Sequence, residues 1–127
     1  MNVVDSSAWL SYFAGDRNAR LFAKSIETLD KLLVPSITLT EVFKSVLRQR
    51  NEEAALEVVA HMEQGTVIAL DRELAVNAAV LGVELKLPLA DSIIYATAQK
   101  YDAVVWTQDA DFKGLGNVKF YPKAKAT

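Results

Sequence analysis

The sequence contains no cysteine, so disulfide bonds and thiolate metal ligands are both excluded. Its one histidine, His61, has no evident acid–base partner, and we interpret it as a helix-surface residue. No apolar run approaches the ~20 residues that span a bilayer. The N-terminus lacks the basic and long apolar regions of a signal peptide. These absences predict a cytoplasmic protein without membrane contact.

Positive charge is also scarce, with 14 Lys and Arg against 16 Asp and Glu and a formal net charge of −2. A protein with this balance does not hold nucleic acid by overall electrostatic attraction. Any contact with phosphate groups must therefore come from local basic side chains or from bound cations.

The length of 127 residues predicts one domain, over residues 1–127. Within it, short apolar runs alternate with longer segments of helical periodicity. Strands are predicted at 3–4, 34–35, 66–70, 103–106 and 118–121. Helices are predicted at 6–13, 19–33, 38–49, 52–64, 72–85 and 89–100, with a helical turn near Asp111. In the 38–49 helix, the residues expected to face inward are Leu39, Val42, Phe43, Val46 and Leu47.

This alternation predicts an α/β protein with three layers, in which a mostly parallel sheet lies between two layers of helices. Ligand sites in such sheets form beyond the carboxyl ends of the strands, near the point where the strand order reverses. The side chains at those ends are therefore the candidates for function.

Four acids occupy such positions. Asp5 follows the first predicted strand, and Asp109 lies just beyond the fourth. Glu41 and Asp91 are predicted in the first turns of helices that follow a strand or a proline. Because strand ends and the helix starts after them share one rim of a parallel sheet, all four acids can point into one cleft.

Each acid also has a structural interpretation. Asp5 and Asp109 suit helix N-caps, and Thr38 to Glu41 fits a capping box. In a first turn, Asp91 gains ~0.3–1 kcal/mol from the helix dipole. If the acids converge, however, two carboxylates ~5 Å apart repel by roughly 3 kcal/mol, more than a cap supplies. Such a cluster needs a cation or a proton, and an all-oxygen set suits Mg²⁺ or Mn²⁺.

Four segments resemble, in order and spacing, the motifs of PIN-domain nucleases. They are Val4-Asp5-Ser6-Ser7, Glu41 in Thr-Glu-Val, Asp91-Ser-Ile-Ile-Tyr-Ala-Thr-Ala98, and Thr107-Gln-Asp-Ala-Asp-Phe112. Size and motif details are most similar to the VapC-type toxins of type II toxin–antitoxin pairs. The resemblance covers nearly the whole chain.

The resemblance implies an α/β/α PIN fold and endonucleolytic cleavage of RNA that depends on Mg²⁺ or Mn²⁺. The family's metal-site acids fall on Asp5, Glu41, Asp91 and Asp109, with Asp111 as an assisting acid of some members. Its small hydroxyl residues fall on Ser6 and Thr107, which we expect to bind the carboxylates or a phosphate oxygen. The resemblance also implies a homodimer that is neutralised by a small antitoxin protein, packed in a groove beside the active site.

Two basic residues, Lys44 and Arg48, follow Glu41 at helical spacing and are predicted to contact the RNA backbone. An equally weighted interpretation is that they are solvated surface residues. Trp9, Tyr12 and Phe13 are interpreted as core residues, part of which can form a protein interface.

Three other functions share some of these features. A PIN-fold nuclease in RNA processing, rather than a toxin, remains open. An aspartyl phosphatase carries a second Asp two residues after the first, where this chain has Ser7. A non-catalytic phosphoacceptor module carries an acidic pair after the first strand and a Lys after the last, where this chain has Asp5 alone and Thr107-Gln108.

Overall fold

Over residues 1–124, which the computed structural model describes, five strands form one sheet with six α-helices around it. The strands are β1 (Asn2–Val4), β2 (Leu32–Pro35), β3 (Thr66–Ile68), β4 (Val104–Thr107) and β5 (Val118–Phe120). The helices are α1 (Ser6–Ala14), α2 (Ala19–Glu27), α3 (Ser36–Gln49), α4 (Glu52–Met62), α5 (Arg72–Leu85) and α6 (Leu89–Lys100). The last residues of the predicted domain, 125–127, lie outside the described residues.

The strand order is β3-β2-β1-β4-β5, and every neighbouring pair is parallel. Val3 lies between Leu33 on β2 and Val105 on β4. From β1 the chain adds strands outward to β3 and then returns to β4 on the other side of β1. The order therefore reverses between β1 and β4, which is where ligand sites form in open parallel sheets.

The two faces of the sheet bury different helices, because successive side chains of a strand point to opposite faces. Val4 packs with Trp9 of α1 and Phe22 of α2 on one face, in a core that also includes α3 and α4. Val3 packs with Ile94 of α6 on the other face. A further cluster joins α5 to α6. The predicted three-layer α/β/α architecture is confirmed. None of the helices in the described range is both long and apolar enough to cross a bilayer.

The predicted helix over residues 19–33 is wrong in its second half. Helix α2 ends at Glu27, a 3-10 turn covers Leu29–Lys31, and β2 begins at Leu32. At the helix end, the Thr28 hydroxyl donates a 2.7 Å hydrogen bond to the Lys24 carbonyl. The apolar spacing continues past the helix because Leu32 and Leu33 are buried on opposite faces of the sheet, so a strand there resembles a helical repeat.

The predicted capping box at Thr38 is also wrong. Helix α3 begins at Ser36, and Thr38 donates its hydroxyl hydrogen to the Pro35 carbonyl at 2.7 Å. Glu41 consequently lies in the second turn, not the first, and does not cap the helix. Leu47 was expected to face inward but is 44% exposed, since it lies about 100° around the helix from the buried Val46.

Candidate active site

An open cleft of about 520 Å³ lies at the carboxyl edge of the sheet, where the strand order reverses. Five acidic side chains line it: Asp5, Asp16, Glu41, Asp91 and Asp109. The structure thus brings all four predicted site acids to one cleft, although they are far apart in the sequence. Their role as metal ligands stays a prediction.

Asp5 leaves the end of β1 and caps α1. Its Oδ1 accepts hydrogen bonds from the Ala8 backbone N–H at 3.1 Å and from the Ser7 hydroxyl at 2.7 Å. Burial nevertheless raises the pKa of Asp5 to about 6, and the nearby charge of Asp109 adds to the rise. The capping hydrogen bonds lower the pKa of Asp5, but by less than burial raises it.

Asp109 follows β4 and caps the short 3-10 turn Ala110–Phe112. Its Oδ1 accepts a 2.9 Å hydrogen bond from the Asp111 backbone N–H. The Asp109 N–H donates to the Thr107 hydroxyl oxygen at 2.8 Å, and the same hydroxyl lies close enough to the Asp5 carboxylate to lower its pKa. The buried Thr107 therefore connects the two strand-end acids.

Asp91 lies in the first turn of α6, within a run of eight buried residues, Asp91 to Ala98. Its pKa is raised to about 8, first by burial, then by the charge of Asp109 and by a hydrogen bond with Asp111. Asp5 and the Asp111 charge contribute further. Asp91 therefore holds a proton at neutral pH unless a cation replaces it.

Three carboxylates of this group are close enough to share an ion. Asp91, Asp109 and Asp111 each offer an oxygen, and these oxygens all lie within 4.8 Å of one another. Full ionisation at this spacing costs roughly 3 kcal/mol per pair, which a divalent cation removes. Because the donors are all carboxylate oxygens, the set fits Mg²⁺ or Mn²⁺ rather than zinc.

Glu41 reaches the cleft from the opposite side. Its Oε1 accepts a 2.6 Å hydrogen bond from the Ser6 hydroxyl, which joins α3 to the first turn of α1. Ser6, which follows Asp5 in the first motif, therefore orients Glu41.

Two charged residues that line the cleft, Asp16 and Lys123, were missed in the sequence. Gly15, with φ of 64°, ends α1 and turns the chain just before Asp16. Lys123 lies just beyond β5 and also lines it. The rule that selected Asp5 and Asp109, to inspect residues just past the ends of parallel strands, selects Lys123 when it is applied to β5.

Lys44 and Arg48 are exposed on α3 but are not among the described residues that line the cleft. Their contact with RNA stays a prediction. His61 packs edge-on against Phe13 and Tyr12, with ring centroids 5.3 and 6.0 Å apart, and lies on the surface of α4.

Comparison with known proteins agrees with this architecture. A family model described as PIN domain matches residues 3–118. A toxin–antitoxin complex from Klebsiella pneumoniae has a TM-score of 0.81 at 24% identity, over 97% of this chain and 100% of the other. VapC20 of Mycobacterium tuberculosis, a toxin that cleaves the sarcin–ricin loop, has a TM-score of 0.77 at 21% identity, over 93% and 97%.

VapBC from Salmonella typhimurium, solved bound to DNA, has a TM-score of 0.71 at 18% identity, over 95% of this chain and 96% of the other. Identities this low establish the fold alone. A sequence comparison with curated proteins gives no significant match.

Proposed function

The chain belongs to the PIN-domain family, as its motifs predicted, and from this premise we propose that it is a Mg²⁺- or Mn²⁺-dependent endoribonuclease, the toxin of a toxin–antitoxin pair. One observation carries the proposal: carboxylate oxygens of Asp91, Asp109 and Asp111 lie within 4.8 Å of one another, beside a cleft that Asp5 and Glu41 also line. The fold places these carboxylates where a phosphate would have to bind. Because carboxylates repel a phosphate, binding there requires a cation between them.

The residues that would hold the cation are Asp5, Glu41, Asp91 and Asp109, with Asp111 beside them. A bound divalent ion supplies positive charge to the scissile phosphate and lowers the pKa of water. Ser7 fixes the carboxylate of Asp5, and Ser6 fixes that of Glu41. Thr107 fixes the backbone of Asp109. Ser6 and Ser7 both donate their hydroxyl hydrogens to carboxylates, so we assign them to positioning and the reaction to hydrolysis.

The proposal is tested by incubating the purified protein with a mixed RNA pool in Mg²⁺, Mn²⁺ or EDTA. We expect cleavage with either metal, none in EDTA, and none for Asp5→Asn or Asp109→Asn. Asp30→Asn removes the same charge from an exposed turn outside the cleft and is the matched control. Stable RNA with the wild type in both metals, together with no metal binding in titration, would overturn the proposal.

The antitoxin is proposed to bind an apolar groove next to the cleft. This groove, of about 240 Å³, is lined by Phe13, Val46 and Val58, and it shares Leu10 and Gln49 with the cleft. A segment packed there can extend a basic residue into the five acids. The similar structures include toxin–antitoxin complexes, which supports the assignment.

Co-expression with a small protein encoded beside this one tests the partner. We expect the pair to co-purify without nuclease activity. Val58→Glu, in the groove, should escape this neutralisation and still cleave RNA, whereas Leu29→Glu, at an exposed apolar site elsewhere, should remain neutralised. RNA cleavage that no such protein neutralises would favour the RNA-processing alternative.

The proposed homodimer has a candidate surface on α5. Val76, Val80 and Val83 follow one another by four and three residues and are 50, 50 and 82% exposed. Such a stripe on a helix favours burial against a second apolar surface. Sedimentation should show a dimer for the wild type and for Leu29→Asp, and a monomer for Val80→Asp.

A further inference from the structure

A second cavity, of about 440 Å³, adjoins the acidic cleft. The two cavities share Ser7, Gln108, Asp109 and Lys123, so these residues form the boundary between them. We propose that this second cavity, the side groove, binds the base of the nucleotide next to the scissile phosphate, while Lys123 binds a backbone phosphate. This inference rests on the proposed ribonuclease function.

The side groove differs from the cleft in its chemistry. Beyond the shared boundary it is lined by Ala110, Phe120 and Pro122, and it contains no carboxylate other than Asp109 among the described residues. The cleft carries five carboxylates and suits cations. A nucleotide has a charged phosphate and a flat apolar base, and single-stranded RNA is bound by stacking its bases on aromatic and apolar side chains. The side groove therefore suits the base, and the metal-holding cleft suits the phosphate.

Lys123 is the only basic residue among the described residues that line the two cavities. Its position at their boundary places one positive charge between the proposed base site and the acids. Because the chain has a net charge of −2, a lysine raises its affinity for RNA most when it lies where two successive phosphates of the strand would pass. The charge of Lys123 is thus complementary to the strand that the side groove would admit.

The segment that carries Lys123 is held in place from two sides. The Tyr121 N–H donates to the Thr107 carbonyl at 2.9 Å, which extends the β4–β5 pairing toward Lys123. Asn18 Nδ2, from the loop before α2, donates to the Pro122 carbonyl at 2.9 Å and to Gln108 Oε1 at 2.6 Å. Gln108 in turn donates to the Ser7 carbonyl at 3.1 Å. The floor of the side groove is therefore fixed before RNA arrives, which lowers the entropy cost of binding.

The test measures binding of short fluorescent single-stranded RNA in EDTA, where cleavage is absent. Lys123→Ala should weaken binding about three- to tenfold at low salt and reduce the slope of log affinity against log salt by about 0.7. Lys119→Ala is the matched control, because Lys119 is exposed on β5, four residues before Lys123, and lines neither cavity. Equal behaviour of the two lysine variants would overturn the assignment of Lys123.

Phe120→Leu keeps the apolar volume but removes the ring. It should weaken binding of intact RNA by about tenfold and leave binding of an RNA with abasic sites nearly unchanged. Equal losses for intact and abasic RNA would show a folding defect or a general effect and would overturn the base site. Thermal unfolding of each variant checks that the fold is retained.

These outcomes separate the two proposals. Metal-dependent cleavage by the wild type with no effect of Lys123→Ala or Phe120→Leu on binding overturns only the side groove. Binding that depends on both residues, without cleavage in any metal, supports the side groove and overturns the proposed nuclease. A wild-type protein that binds no RNA in EDTA, cleaves none in either metal and binds no metal overturns both.

Discussion

The Ser6 hydroxyl and the Glu41 carboxylate are joined by a 2.6 Å hydrogen bond that spans 35 positions in the sequence. It is the contact that turns Glu41 of α3 toward the acids that follow β1 and β4. Hydrogen bonds to charged groups contribute roughly 1.5–3 kcal/mol, more than neutral ones.

Ser6→Ala removes this bond and leaves Glu41 free to move. We expect the rate of RNA cleavage to fall about tenfold while the free energy of unfolding falls by no more than about 3 kcal/mol. Ser6→Thr keeps the hydroxyl and should retain most of the activity. Single-turnover cleavage and urea unfolding measure the two effects, and a Ser6→Ala protein with full activity would remove Ser6 from the site.

The metal-free protein is expected to lose stability as the pH rises. The pKa of Asp5 is raised to about 6 and that of Asp91 to about 8 in the folded state. An unfolded Asp titrates near pH 3.9, so the folded state binds protons more tightly. The stabilisation is complete below about pH 4 and is lost as the pH rises through about 6 for Asp5 and about 8 for Asp91. Urea unfolding in EDTA between pH 4 and 9 measures it.

Asp91→Asn removes the main cause of the pH dependence of the free energy of unfolding in the metal-free protein. The variant should be more stable than the wild type by roughly 2–4 kcal/mol at pH 9 in EDTA, and the difference should shrink toward pH 4. Asp30→Asn, at an exposed position, should follow the wild-type curve. A variant less stable than the wild type at pH 9 would mean that Asp91 is a structural acid.

Metal binding should restore the stability that the metal-free protein loses as the pH rises. Mg²⁺ or Mn²⁺ binds the folded cluster, so at a concentration a hundred times Kd it should add about 2.7 kcal/mol to the free energy of unfolding. Thermal unfolding at pH 8 should show the wild type shifted upward by metal, and Asp109→Asn unshifted. An equal shift in both proteins would place the ion elsewhere.

Trp9 is fully buried, and its indole N–H is the one buried side-chain polar atom of the described residues without a hydrogen-bond partner. Burying such a group costs about 1–3 kcal/mol, comparable to the packing lost when Trp is replaced by Phe. Trp9→Phe should therefore change the free energy of unfolding by less than about 1 kcal/mol. Phe22→Ala, in the same core, should cost about 3–5 kcal/mol. Urea unfolding compares them.

Lys44 and Arg48 remain predicted RNA contacts although they lie outside the cleft lining. If the RNA strand leaves the cleft along α3, replacement of either by Ala should weaken binding and reduce the salt slope by about 0.7. Binding of short RNA in EDTA at several salt concentrations measures this. Unchanged slopes would assign both residues to the solvated surface.

The strand-end acids were predictable because their positions follow from topology. Asp5 and Asp109 come directly after apolar strands, and any parallel arrangement of those strands brings them to one edge. The position of Asp91 in a first helical turn was predictable because Pro88 marks the start of α6. These patterns involve residues close together in the sequence, so the sequence alone predicts the positions of the three acids.

Other features depend on contacts that no local pattern contains. Thr38 and Glu41 match a capping box, yet α3 begins earlier because β2 ends at Pro35, whose carbonyl accepts the Thr38 hydroxyl. Leu32 and Leu33 fit the helical spacing of α2 and become a strand through pairing with β1 and β3. Asn18, Gln108 and Pro122 carry no common motif, and their hydrogen-bonded contact exists only after α1 and β5 have been placed.

The position of β4 beside β1 has a consequence for synthesis. Asn2 of β1 pairs with Val104 of β4, so β1 waits for this neighbouring strand until translation has passed Val104. Until then Asp5 has neither Thr107 nor Asp109 nearby. A chain terminated before Asp109 therefore has no complete acidic cleft, and a translating cell would be exposed to the proposed nuclease only through chains that extend beyond this residue.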